Sequence, residues 1–154
     1  MKEILLAGVF SLIFSLFGTP ALIRLLARYG YGQMIRDDGP QSHHSKRGTP
    51  TMGGIAIIFS AIIGYALAHI LLGIAFSASA ILVIALFTGL GLVGFIDDYL
   101  KVVKQRSLGL NSKQKIVGQI IVAGLFGYYG TKFPDKAGLT PISTNLSFLR
   151  DTSI

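Results

Sequence analysis

Four stretches of the chain are apolar over lengths that matter on the scale of a bilayer. A hydrocarbon core needs about 20 consecutive apolar residues in a helix. The first run covers residues 4–26, directly after Met1, Lys2 and Glu3. The second covers 53–74 and the third begins at 79. Only residues 73–77 link these two, so they should be antiparallel neighbours. The fourth, 116–129, is shorter and contains glycine; Lys113 and Lys115 extend it as a snorkelling flank. The pattern predicts an all-α integral membrane fold with transmembrane helices at about 4–26, 53–74, 79–100 and 113–130. Polar loops fill 28–52 and 101–112, and a polar tail with Pro134, Asp135, Gly138, Pro141 and Asn145 runs over 131–154. A cleaved signal peptide fits the first run poorly. The run is too long, and Arg24 and Arg28 stand at and just beyond its end in place of a small-residue cleavage site.

Composition strengthens this reading. Charged residues make up 14% of the chain and mean hydropathy is +0.63. Soluble domains carry about 25% charged residues. The net charge of +7 invites a nucleic-acid reading, but the basic residues flank apolar runs and no stacking aromatics interleave with them. Topology explains them better. Arg24, Arg28, Arg36, Lys46 and Arg47 surround the first loop, and Lys101, Lys104, Arg106, Lys113 and Lys115 the second. Only Lys2, Lys132, Lys136 and Arg150 fall on the other side. The positive-inside rule puts the two loops in the cytoplasm and both ends of the chain outside, as four alternating crossings require. With no Cys, disulfides and thiolate metal sites are excluded.

Two of the loop segments carry candidate chemistry. The first reads Arg36-Asp37-Asp38-Gly39-Pro40, then His43, His44, and Lys46-Arg47-Gly48-Thr49-Pro50-Thr51-Met52-Gly53-Gly54. It opens into a helix, with Thr49 and Thr51 as capping hydroxyls around Pro50. A helix start with nearby Lys46 and Arg47 suits a phosphate; the plainer reading is a solvated cytoplasmic loop. His43 and His44 lack partners at metal spacing, and His69 reads as a packed or interfacial residue. The second segment is Gly94-Phe95-Ile96-Asp97-Asp98-Tyr99-Leu100-Lys101. Two carboxylates near the negative end of an apolar helix oppose its dipole, which marks them as functional rather than structural candidates. Adjacent residues point about 100° apart, so Asp97 and Asp98 should have separate tasks, with Lys101 sharing a face with Asp97. Carboxylates with a lysine at the membrane surface suit Mg²⁺ bridging pyrophosphate oxygens; the alternative is a charged collar. Asn111 or Ser112 should cap the fourth helix, and Gly89, Gly91 and Gly94 should permit close helix packing.

Together these segments closely resemble the phospho-N-acetylmuramoyl-pentapeptide transferase family of polyprenyl-phosphate phosphosugar transferases. The Lys46–Gly54 run is the specific part, Phe95–Lys101 resembles the family's Asp-Asp motif, and Gly109–Lys115 resembles the start of its fourth helix. The resemblance implies transfer of phospho-MurNAc-pentapeptide from UDP to undecaprenyl phosphate, giving lipid I and UMP, with Mg²⁺ as cofactor. It implies a bacterial plasma-membrane protein acting on the cytoplasmic side, and is compatible with a homodimer. By similarity Asp97 and Asp98 are catalytic and candidate Mg²⁺ ligands, and Lys46, Thr51, Lys101 and Lys113 line the substrate cleft. Asp97 is the family's proposed base. A phosphate monoester is largely a dianion at neutral pH, however, so orienting groups or metal should matter more than proton removal. The family has about ten helices and about twice this length, so a further metal ligand is expected outside these residues and the isolated chain is expected to be inactive. Rival readings are a non-catalytic membrane scaffold, half of a split enzyme, or a related transferase using UDP-N-acetylglucosamine. Polar residues gather near helix ends rather than at mid-membrane, which disfavours a transporter.

Overall fold

The computed structural model describes residues 1–31, 51–106, 108–134, 140 and 142. The first-loop readings, including Lys46, His43 and His44, and most of the 131–154 tail lie outside the described residues. Four helices follow in order: α1 (Lys2–Arg28), α2 (Gly54–Leu72), α3 (Ala78–Val103) and α4 (Ser112–Lys132). The first three are long and apolar enough to cross a membrane. The 21 residues of α4 give about 31 Å of helix at 1.5 Å per residue, but Lys113, Gln114, Lys115 and Gln119 make it more polar.

Small residues decide how the helices meet. On α2 the buried positions Ala56, Ser60, Gly64 and Ala68 recur every fourth residue and form one seam. A Cβ on Gly64 would collide with Ser11 Oγ and lie 2.6 Å from the Ser11 nitrogen and 2.9 Å from the Ala7 carbonyl oxygen. The backbones of α1 and α2 therefore touch, the close approach that small-residue seams allow in lipid. Helices α3 and α4 use a reciprocal fit: Val122 sits over Gly89, and Val93 over Gly118. The α2–α3 pair is more open, with Ile58 reaching Gly91. Nothing approaches the Cβ position of Gly94, so this glycine lines a cleft rather than a packing seam, contrary to the sequence expectation.

The helix ends explain the connections. Helix α2 stops at Gly73, whose φ of 63° suits glycine; Gly73 N–H donates to Ile70 O and Ile74 N–H to His69 O, the Schellman pattern. Ser77 Oγ then accepts from Ala80 N–H at 3.2 Å and caps α3. Asn111 is the N-cap of α4, and Gln114 Oε1 accepts its N–H at 2.9 Å. Of the two expected threonine caps on α2, Thr49 lies outside the described residues and Thr51 does not cap the helix. The N-cap is Gly53, and Thr51 Oγ1 is buried with no partner among the described residues. His69 is packed, with its ring 4.0 Å from Tyr65 and stacked on Phe76 at 5.5 Å.

Candidate active site

The second half of α3 brings Asp97, Asp98 and Lys101 onto one turn and its successor. Asp97 is only 7% exposed, so its charge must be met by protein groups. Its Oδ2 lies 2.7 Å from Lys101 Nζ and its Oδ1 lies 3.1 Å from Lys115 Nζ. Leu110 N–H donates to the same Oδ1 at 2.7 Å. Asp98 is more open: Oδ1 lies 2.9 Å from Lys101 Nζ, and Oδ2 accepts the Met52 N–H at 3.3 Å. Lys101 thus reaches both carboxylates, one at i−4 and one at i−3. The sequence reading separated the two aspartates by their 100° offset, but a long flexible side chain spans that angle.

Two carboxylates and two ammonium groups cancel formally within this cluster. The surplus positive charge stands nearby on Lys104, Arg106 and Lys113, all exposed. The chain after α3 is pressed onto the cluster. A Cβ on Gly109 would overlap Asp97 Oδ1 and the Asp97 carbonyl oxygen and lie 2.8 Å from Asp97 Cγ. Glycine here is a matter of space, because only its absence of a side chain lets Leu110 N–H reach Asp97.

Asp97 and Asp98 form the polar end of a cleft of about 550 Å³ between α2 and α3. Its walls are apolar, with Ile55, Ile58 and Phe59 from α2 facing Leu92 and Phe95 from α3. Met52 lines the cleft where α2 begins. Thr88 Oγ1, on the α3 wall, is buried without a partner among the described residues.

Of the residues expected from sequence, Asp97, Asp98 and Lys101 come together, and Thr51 precedes Met52 at the start of α2. Lys113 is exposed and forms no ion pair among the described residues, and Lys46 lies outside them. The lysine that reaches Asp97 from α4 is Lys115, which the sequence reading treated only as a membrane anchor. A cation in the first turn of a helix opposes the dipole, as the aspartates do at the end of α3, but Lys113 shares that turn, so this signal alone does not single out Lys115. For a divalent cation, no group of three or more His, Cys, Asp or Glu side chains forms among the described residues. Two carboxylates nonetheless fit Mg²⁺, which retains waters and takes further oxygens from substrate phosphates. Asp98 is the better placed, being less buried and holding Met52 N–H only at 3.3 Å.

Comparisons with known proteins agree with one another. Residues 46–58 match the phospho-N-acetylmuramoyl-pentapeptide-transferase signature 1. Over 154 residues, all of this chain, it is 56% identical to a phospho-N-acetylmuramoyl-pentapeptide-transferase of Frankia casuarinae. It is 54% identical to that of Kineococcus radiotolerans, again over the whole chain, and 56% identical over 98% of the chain to that of Streptomyces avermitilis. The chain spans 42–43% of the length of these curated relatives. No solved structure matches it. From Met1 to Ile154 the chain is sequence of the phospho-N-acetylmuramoyl-pentapeptide-transferase family.

Proposed function

We propose that these residues supply one wall of an Mg²⁺-dependent phosphosugar transferase site. The reaction moves phospho-MurNAc-pentapeptide from UDP to undecaprenyl phosphate. An oxygen of the lipid phosphate forms a new bond to the sugar-side phosphorus of the UDP carrier. The bridging P–O bond breaks, and UMP leaves with its electron pair, giving lipid I. One observation carries this reading: the signature segment and the Asp-Asp pair meet at one cleft, where Met52 N–H touches Asp98 and Met52, Gly54, Ile55 and Ile58 share the lining with both aspartates.

Within that reading, Asp98 holds the metal and Asp97 orients the cluster. When bound, Mg²⁺ draws together phosphates that otherwise repel. Asp97 is fixed by Lys101, Lys115 and Leu110 N–H, which suits a group that sets the position of two lysines. A base needs a free oxygen facing the proton it takes. Lys101 and Lys115 then face the phosphates, and by family resemblance Lys46, Thr51 and Lys113 are further substrate-binding candidates. A further metal ligand comes from sequence outside these 154 residues. The four helices cross a bacterial plasma membrane in alternation, as part of a bundle of about ten, with the 28–52 and 101–112 loops cytoplasmic and both ends of this chain outside.

The test uses a protein of the relatives' full length that contains this chain, with UDP-MurNAc-pentapeptide, undecaprenyl phosphate and Mg²⁺. Formation of lipid I and UMP is expected. Product from UDP-N-acetylglucosamine alone would move the protein to the sister activity, and no product from either donor would leave the scaffold reading. Asp97→Asn should stay impaired across pH; full recovery at high pH would restore the base role.

A further inference from the structure

Met52 is the one described residue at the start of α2 whose backbone breaks a rule. Its φ is 69°, in the left-handed region that non-glycine residues seldom occupy. The residue is also 5% exposed, so the strain is held in place by surrounding structure rather than relieved at a surface. Two glycines follow it immediately, yet neither Gly53 nor Gly54 has a positive φ. The chain thus places its left-handed turn on the methionine and leaves the permissive residues in ordinary conformations.

The turn has a consequence at the site. It directs Met52 N–H to Asp98 Oδ2 at 3.3 Å, across 46 residues of sequence. On its other side Asp98 Oδ1 is held by Lys101 at 2.9 Å. Asp98 Oδ1 is therefore held firmly by its own helix, while Oδ2 takes one longer contact from within the signature segment and keeps room for a further partner. The Met52 side chain meanwhile lines the cleft beside Asp98.

We propose that Met52 is a positioning residue whose left-handed backbone aims its amide at Asp98, fixing that carboxylate at the mouth of the α2–α3 cleft and tying the signature segment to α3. The inference rests on the transferase reading for its effect on catalysis, but the Met52–Asp98 contact stands or falls separately. What matters at position 52 is the backbone conformation and its N–H, more than the bulk of the side chain.

A substitution series at position 52 tests this in a protein of the relatives' full length that contains this chain. Glycine and asparagine reach positive φ readily; β-branched residues do not. Met52→Gly and Met52→Asn keep the backbone conformation but lose the side chain that lines the cleft, so they should lose some kcat, though less than β-branched variants. Met52→Ile and Met52→Val, apolar and nearer in size, should lose about ten- to a hundredfold in kcat, the scale of a misplaced catalytic group, with KM changed less. The opposite order, with isoleucine tolerated and glycine not, would make Met52 a packing residue and overturn the proposal. A second readout does not depend on turnover. In protein labelled with ¹⁵N-methionine, the resonance that Met52→Gly removes belongs to Met52. That resonance should shift, and its amide should exchange faster with solvent, in the Asp98→Ala variant. An unchanged Met52 resonance would overturn the proposal whatever the kinetics show. A clear response in a protein that forms no lipid I would support the contact and reject the transferase reading instead.

Discussion

Replacing Gly109 with alanine adds one methyl group at the most crowded point of the site. The new Cβ would overlap Asp97 Oδ1 and the Asp97 carbonyl oxygen and stand 2.8 Å from Cγ. Neither neighbour yields easily: one is helix backbone, the other a short side chain held at 2.7 Å by Lys101. The 108–111 segment must move away instead. It takes with it Leu110 N–H, now 2.7 Å from Asp97, and loosens the approach of Lys115 at 3.1 Å from the following helix. Hydrogen bonds to a charged group contribute about 1.5–3 kcal/mol each, so losing both in full would cost roughly 3–6 kcal/mol. Relaxation recovers part of this, and overpacking alone costs about 1–3 kcal/mol. We expect Gly109→Ala to destabilise the protein by about 2–4 kcal/mol and, on the proposed transferase reading, to lower kcat for lipid I formation by about a hundredfold in a protein of the relatives' full length. Unfolding in mixed detergent micelles and turnover in expression-matched membranes measure the two effects. Gly124→Ala is the control, since nothing lies within 4 Å of its Cβ position and alanine favours the helix. Gly109→Ala indistinguishable from the parent in both assays, beside a damaged Asp97→Ala, would refute the crowding argument.

Three other substitutions probe separate parts of the structure. Lys115→Ala should cut kcat at least tenfold more than Lys113→Ala, because only Lys115 meets Asp97; equal losses in the same turnover assay would count against that assignment. Gly64→Leu should separate α1 from α2, since the neighbours of its Cβ include backbone atoms of Ser11 and Ala7; a loss of more than about 2 kcal/mol in micellar unfolding is expected. Thr88→Val should be neutral or stabilising by up to about 1 kcal/mol, because it removes a buried hydroxyl without a partner; clear destabilisation would mean that the hydroxyl is bonded in the native protein.

Much of this was legible in the sequence because its cause is local. Apolar runs fix helices, and a lysine four residues after an aspartate fixes a pair on one face, as Asp97 and Lys101 show. The turn at Gly73 and the cap at Asn111 likewise follow from their own neighbours. The reading failed where a contact depends on how separate helices approach. Lys113 and Lys115 look alike in a string of residues, and only the angle at which α4 meets α3 selects Lys115. The same holds for Met52, whose partner lies on the neighbouring helix α3, and for Gly94, which faces open space although it resembles Gly91. Thr51 was expected to cap α2, but Gly53 takes that position.

The spacing of the ion cluster along the chain also sets an order of assembly. Asp97, Asp98 and Lys101 leave the ribosome almost together, and Lys101 can offset half of the acidic pair's charge as soon as their turn of helix forms. Leu110 follows 13 residues later, at elongation rates of about 5–20 residues per second within a few seconds. Lys115 arrives just behind it and closes the last side of Asp97. Met52 is the exception, already made and 46 residues upstream, so its link to Asp98 must wait until α3 comes alongside α2. A nascent chain halted after α3 would carry a half-neutralised pair of acids at the membrane, and one halted after α4 would carry the finished cluster. The ion cluster around Asp97 is thus closed by close neighbours in sequence, whereas the link to Met52 needs two helices to dock first.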